Sequence, residues 1–426
     1  MTAEFESPTR RLSASRSAQI PSSEDHSGDK QPSGLPASLT LLFSVTCGLA
    51  VANVYFAQPL LDSMAKSLGV VSGLIGIVVT MTQVGYALGL LVLVPLGDLV
   101  NRKRLVLSQT LLSAMALAAV GASQTWLFLL GAMVIVGLMA VVVQVLVAYT
   151  AVLATPSQRG QAVGTVTSGI VMGILLARFM SGLIADLAGW RAVYFVSSGL
   201  MLSLAAVLFK CVPDTPSRQA GGTYAGLIRS LFDLLLTEPV LQIRGLLALL
   251  IFAAFSVLWT AMVLPLSAPP LALSHTIIGL FGLAGVAGAL AARRAGRWAD
   301  QGLGQRVSGL ALGLLTFSWL PISFAQTSLF ALVCGVILLD FAVQAVHVTN
   351  QSLIFAARPD AQSRMVGAYM FFYSAGSALG AVAATQAYER WGWPAVSLLG
   401  ASISASALIL WFLTSRCPAA YQARAR

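Results

Sequence analysis

From residue 40 onward the chain is a succession of apolar stretches. Each is long enough to cross a hydrocarbon layer of about 30 Å, for which a helix needs about 20 residues. They fall at 40–61, 72–97, 104–123, 126–150, 161–185, 191–211, 243–266, 276–292, 305–324, 328–354, 365–387 and 393–414. Within a bilayer core every backbone polar group must be paired inside its own segment or around a closed barrel, so runs of this length fold as helices. The expectation is an all-α membrane protein with twelve transmembrane helices. Composition agrees: 57% of the 426 residues are hydrophobic and 9% carry charge, against about 25% charge in an ordinary soluble domain.

The regions between the apolar runs organise the chain. Residues 1–39 are polar and rich in Ser, Pro and charge, with no apolar core behind a short basic head. They read as a disordered tail rather than a signal peptide. The longest internal connection, 212–242, is polar and holds Pro213, Pro216, Gly221, Gly222 and Pro239. It separates a six-helix bundle at 40–211 from a second at 243–414, and a short tail follows at 415–426. With both termini in the cytoplasm, the 25 Lys and Arg residues, Arg244 included, fall on the cytoplasmic side with four exceptions. Lys66, Arg191 and Arg390 lie outside, and Arg178 is left within the membrane. This positive-inside bias fixes the orientation. It also accounts for a pI near 9.8 with no need of nucleic acid as a partner.

Sliding the second half back by 203 positions brings Pro156 onto Pro359, Gly164 onto Gly367 and Gly173 onto Gly376. Gly189-Trp190 meets Gly392-Trp393, and Ala192-Val193 meets Ala395-Val396. An ordered series in one register implies two parallel repeats related by an axis along the membrane normal. Gly169 and Gly173 form a face of small residues that lets helices approach closely, and Gly376 and Gly380 offer the same in the second half.

Polar residues within the apolar runs are the candidate site. Asp340, Gln344, His347 and Gln351 are spaced by 4, 3 and 4, so on a helix they share a stripe about 60° wide. Asp340 is the one acidic side chain expected deep in the membrane. A carboxylate there costs roughly 2.5–3.5 kcal/mol on insertion scales, so such residues face a bundle interior or a wet pathway. A polar stripe can also serve only to hold helices together. The other two histidines, His26 in the tail and His275 in a loop, lie outside the spans. Asn53, Tyr55 and Gln58 close the first span; Gln83 and Tyr86 share a face of the second. Gln144 in the fourth aligns by the repeat with His347. Arg178 either snorkels outward along its helix or faces a cavity, where it binds an anionic group or partners Asp340.

The cysteines (Cys47, Cys211, Cys334, Cys417) are scattered with no metal-binding spacing and are read as small apolar residues, not disulfides. There is no nucleotide-binding glycine loop, metal cluster or nucleophile with a base in the sequence. The reading is of a protein that is not an enzyme, needs no cofactor and takes its energy from a gradient. Asp340 is the natural proton carrier, with His347 a second candidate.

The loop after the second span reads PLGDLVNRKRLVL and that after the eighth GRWADQGLGQRV. Both place an Asp at a helix end, then a turn former, then basic residues. Here the chain resembles the major facilitator superfamily, whose loop signature is Gly-x-x-x-Asp-Arg/Lys-x-Gly-Arg-Lys/Arg. Asp98, Arg102 and Lys103 fit, while Val94, Leu99 and Asn101 depart from it. In the second half Gly296 and Asp300 fit, in a turn one residue longer that reaches Arg306. The resemblance implies gating roles for these loops. It also implies two rocking six-helix halves, a small-molecule substrate, a monomer, and a central cavity lined by spans 1, 4, 7 and 10. On that basis Asn53, Gln144, Trp259 and the Asp340 stripe line the cavity.

The fifth span looks like the antiporter signature of the drug/proton efflux branch, with Ile174 where that branch carries Pro. The string NVYFAQPLL, together with the tenth span, resembles a bacterial group of this superfamily made up of efflux-type or uncharacterised transporters, which implies the inner membrane. The favoured expectation is proton-coupled export of a small organic or drug-like solute. A symporter or uniporter importing a metabolite is the alternative, and a membrane-embedded enzyme or sensor a remote one.

Overall fold

An unpaired backbone N–H or C=O in hydrocarbon costs several kcal/mol, so an apolar chain of this kind closes its hydrogen bonds within each segment. The computed structural model describes residues 35–97, 99–155, 157–213, 224–286, 294–295, 297–357 and 362–415, and among these it is helical with no strand.

In the first half, α1 (Ala37–Tyr55) gives way to a 3-10 turn at Gln58–Leu60 and a short α2 (Leu61–Leu68). Pro59, which has no N–H to donate, sits in the turn. There follow α3 (Ser72–Ile75), α4 (Ile77–Leu96) and α5 (Arg102–Gly121). The Asn101 side chain caps α5 by accepting from the Arg104 N–H at 3.2 Å. Next come α6 (Trp126–Ala140), α7 (Val142–Leu153), α8 (Arg159–Ala188) and α9 (Trp190–Cys211). The connection, expected to be only a polar linker, contains an amphipathic helix, α10 (Tyr224–Thr237), which buries Leu231 and Leu234. Its Tyr224 hydroxyl donates to the Val92 carbonyl at 2.9 Å.

The second half comprises α11 (Pro239–Ala261), α12 (Val263–Ser267) and α13 (His275–Leu280), the last prolonged by a 3-10 turn at Phe281–Ala284. Then come α14 (Gly304–Ile322), α15 (Leu329–Ala357) and α16 (Gln362–Ser415). Nine helical runs among the described residues are long and apolar enough to cross a membrane. The last of them is turned at Gly392 into two spans. α14 and the helix that begins at His275 occupy the two remaining expected positions.

The repeat is written into the backbone. Gly189 has φ 83° and Gly392 has φ 71°, a region that side chains other than glycine enter only with strain. Each is followed by a buried tryptophan, Trp190 and Trp393. In each half the fifth helix packs against the first through glycine: a Cβ on Gly173 would strike the Gly48 backbone, and one on Gly376 the Leu249 backbone. Gly169 and Gly380 stand equally close to Ser44 and Ala253.

One cation counted to the cytoplasmic side is enclosed by protein. Arg244 is only 1% exposed. Its Nη1 donates to Ser308 Oγ and Asn350 Oδ1, both at 3.2 Å. Ser308 of α14 and Asn350 of α15 hold the guanidinium, which counting charges at helix ends cannot foresee.

Candidate functional site

The first and second halves meet around a buried polar and aromatic cluster. From α8 comes Arg178, 2% exposed. Its Nε donates to Gln58 Oε1 at 2.7 Å, so the 3-10 turn at Pro59 is what aims Gln58 at the guanidinium. The guanidinium carbon stacks 3.8 Å from the centroid of Trp259, with Tyr55 at 5.0 Å and Phe255 at 5.6 Å. The indole Nε1 of Trp259 donates to Asp340 Oδ1 at 3.2 Å. Asp340 is 4% exposed, and it and Arg178 act on one another electrostatically. A cation from the first half and an anion from the second are therefore held against one tryptophan.

The choice left open for Arg178 is decided by this geometry. It does not snorkel; it lies inside the protein, and its Nη2 has no hydrogen-bond partner among the described residues. Burying a charge is tolerable only when it is paired or hydrogen-bonded. Here that comes from Gln58, from three aromatic faces and from the field of Asp340.

Further along, Tyr55 and Tyr373 join the halves with a hydroxyl–hydroxyl hydrogen bond of 2.6 Å. Tyr86 lies edge-on to Tyr373 at 6.4 Å between centroids and accepts from Gln144 Nε2 at 3.3 Å. Phe252 packs against Tyr373 at 4.1 Å and His347 at 5.1 Å. His347 Nδ1 is 2.9 Å from the Tyr369 hydroxyl. The cluster thus collects side chains from α1, α4, α7, α8, α11, α15 and α16.

Other expected residues lie elsewhere. Asn53 turns into its own half, where its Oδ1 accepts from Ser197 Oγ at 2.6 Å. Gln83 is buried with its Oε1 unpartnered among the described residues, and Gln344 and Gln351 are half-buried. In the first loop, Arg102 Nε donates to the Gly97 carbonyl at 3.0 Å, and Lys103 lies 5.7 Å over the Phe209 ring. Asp300 falls in a π-helical turn at Ala299–Leu303, and Arg306 is exposed. Asp98 and Gly296 lie outside the described residues.

Four contributors escaped the sequence reading: Phe252, Phe255, Tyr369 and Tyr373. Their signal was present, since Phe252, Phe255 and Trp259 are spaced by 3 and 4, and Tyr369 and Tyr373 by 4. Each set shares a helix face.

A cavity of about 560 Å³ lies away from this cluster. It opens between α1, α8 and α9 and is lined by side chains such as Val45, Leu49, Met172, Leu176 and Leu200. A much smaller cavity of about 10 Å³ adjoins Arg178 and Trp259. Chemistry decides between them, because the large cleft has no ionisable lining.

Helices spanning a membrane in two like halves, closed around a buried acid and base, define a membrane transporter. Residues 42–354, and in a second match 244–425, fit the family described as Major Facilitator Superfamily. The chain is 44% identical over 378 residues to the "Uncharacterized transporter YgaY" of Escherichia coli O157:H7, covering 89% of this chain and 96% of that protein. It is 22% identical over 378 residues to a "Probable sugar efflux transporter" of Helicobacter pylori, covering 88% and 94%. In fold it is similar to a bacterial homologue of the human lysosomal transporter Spinster, with TM-score 0.73 at 13% identity over 89% and 96% of the two chains. The chain belongs to the major facilitator superfamily and is a multi-pass membrane transporter, not an enzyme.

Proposed function

We propose that this transporter exports a small, uncharged or amphipathic organic solute from the bacterial cytoplasm in exchange for protons. It does so as a monomer in the inner membrane, with both termini inside and with no cofactor beyond the proton gradient. One observation carries the reading: Asp340 of the second half accepts from Trp259 while the Trp259 ring carries Arg178 of the first half. A charged Asp340 compensates Arg178 across the seam and favours the arrangement that keeps them together. A proton on Asp340 cancels that attraction, so proton loading and the tilt of the halves (40–211 and 243–414) are linked. Any ligand shifts such an equilibrium only by its differential affinity for the two states.

The rings of Tyr55, Tyr86, Phe252 and Tyr373 suit a solute with apolar faces, and the Tyr, Gln and His groups suit one with hydroxyls. The name of the Helicobacter relative points the same way. Proteoliposomes loaded with candidate solutes and given an imposed pH gradient test this. Inward acidification from outside should drive solute out. Asp340→Asn should abolish uphill movement while leaving downhill exchange measurable. Uphill export by that variant, or solute moving in together with protons, would sink the assignment.

A further inference from the structure

The end of the molecule that carries Lys66, Arg191 and Arg390 is shut by side chains that reach from one half to the other. We propose that Asp186, His275 and Ser63 form the latch of this outer gate and that its release is a required step of transport.

Asp186 lies two turns beyond Arg178 on α8, in the first half. Its Oδ1 accepts from the His275 backbone N–H at 3.1 Å and meets His275 Nδ1 at 2.8 Å. Its Oδ2 accepts from the Thr276 N–H at 2.8 Å and the Thr276 hydroxyl at 2.6 Å. The other ring nitrogen of His275, Nε2, lies 2.5 Å from Ser63 Oγ on α2. One histidine of the second half thus bridges two helices of the first, and one carboxylate holds the start of α13. Hydrogen bonds to a charged acceptor are the strong ones. The neighbouring charges are engaged elsewhere: Lys66 pairs with Asp62 at 2.7 Å, and Arg191 donates to Ser67 and the Ser123 carbonyl.

The same two helices lead inward to the charged cluster. Gly182 admits the His275 carbonyl where a Cβ would collide with it. Gly279 lies on the Arg178 backbone, and Gly282 on the Arg178 side chain. Helices in contact along such a seam cannot part at the outer end without drawing α13 away from Arg178. Opening the latch and exposing the buried cation are therefore one movement, and Asp186 and His275 act as positioning residues for it. This rests on the two-half rocking of the proposed function but on neither the proton nor the solute, so its test uses neither.

The test is a distance across the outer end, read by spin labels at Lys66→Cys and Arg390→Cys in full-length protein in lipid nanodiscs, with the native cysteines replaced. Asp186→Ala and His275→Ala should each raise the ratio of open to closed distances about tenfold, which corresponds to about 1.4 kcal/mol. The double variant should add little, because both remove the same latch. An unchanged distribution, or two fully additive shifts, would overturn the proposal. Ser63→His gives an arm that does not depend on weakening the fold. The new imidazole and His275 Nε2 form a two-histidine Zn²⁺ site across the gate, with Asp186 holding the far side of the His275 ring through Nδ1. Zn²⁺ should then raise the melting temperature of Ser63→His reversibly and beyond its effect on the parent. No such rise would show that these side chains do not meet as described.

Discussion

Neutralising the two buried charges singly and together separates a functional ion pair from two unrelated polar residues. Arg178 and Asp340 are 2% and 4% exposed, so removing one leaves the other without its compensating charge. Breaking a buried pair from one side costs about 3–5 kcal/mol, whereas replacing both partners by neutral groups of similar shape is often close to neutral. The two single variants should differ. In Arg178→Gln the remaining carboxyl can be neutralised by one proton. In Asp340→Asn the remaining guanidinium stays charged, and the amide oxygen can still accept from Trp259 but brings no compensating charge. Asp340→Asn should therefore be the less stable, and Arg178→Gln/Asp340→Asn more stable than either. At roughly 2 °C per kcal/mol, thermal unfolding in detergent should fall by about 6–10 °C for Asp340→Asn. The double variant should recover at least half of that. Strictly additive losses would mean that the two charges do not compensate each other, and the coupling scheme would fail with them.

Three further outcomes follow from the geometry. Tyr373→Phe removes the 2.6 Å hydroxyl contact with Tyr55 that joins the halves; at about 1 kcal/mol for a neutral hydrogen bond, it should shift the balance between conformations roughly fivefold in a distance measurement, with little loss of expression. Asn53→Ala breaks the 2.6 Å bond to Ser197 within one half and should lower the melting temperature while leaving the transport KM within about twofold, because the residue faces away from the seam. Gly173→Val and Gly376→Val should each prevent stable accumulation of protein, since even a first side-chain carbon meets the backbone of the facing helix; overpacking of this kind costs about 1–3 kcal/mol or more, and normal yield and melting temperature from either would contradict the packing.

The spans were legible because lipid leaves the backbone few choices. The expected 191–211 is observed as Trp190–Cys211, and 126–150 as the run from Trp126 to Leu153. The partners of the polar residues were much less legible. Asp340 and His347 share a helix face by spacing alone, yet one meets Trp259 and the other Tyr369 and Phe252. Those partners lie on helices that sequence spacing does not relate. Asn53 is a case where spacing had an answer: two residues from Tyr55 is a turn of about 200°, so the two could not share a face. The latch was illegible for a different reason. His275 reads as a loop histidine until α13 is known to begin there, and Asp186 carries no motif that singles it out. Only the packing of α13 on α8 brings them together.

The two polar features lie on one mechanical element. Asp186 and Arg178 are two turns apart on α8, and α13 touches both, through His275 at one end and Gly279 and Gly282 further in. A charge left alone in a low-dielectric interior is costly, so each half by itself is a poor occupant of the bilayer and the pair of halves is held together by mutual need. That need is greatest when Asp340 is charged and Trp259 lies between it and Arg178. On the proposed scheme a proton at mid-depth loosens what the outer latch still holds. The latch then decides whether the loosened halves part on the outer side. Two restraints that share α8, one reaching α11 and α15 and the other α13, make the movement conditional on both.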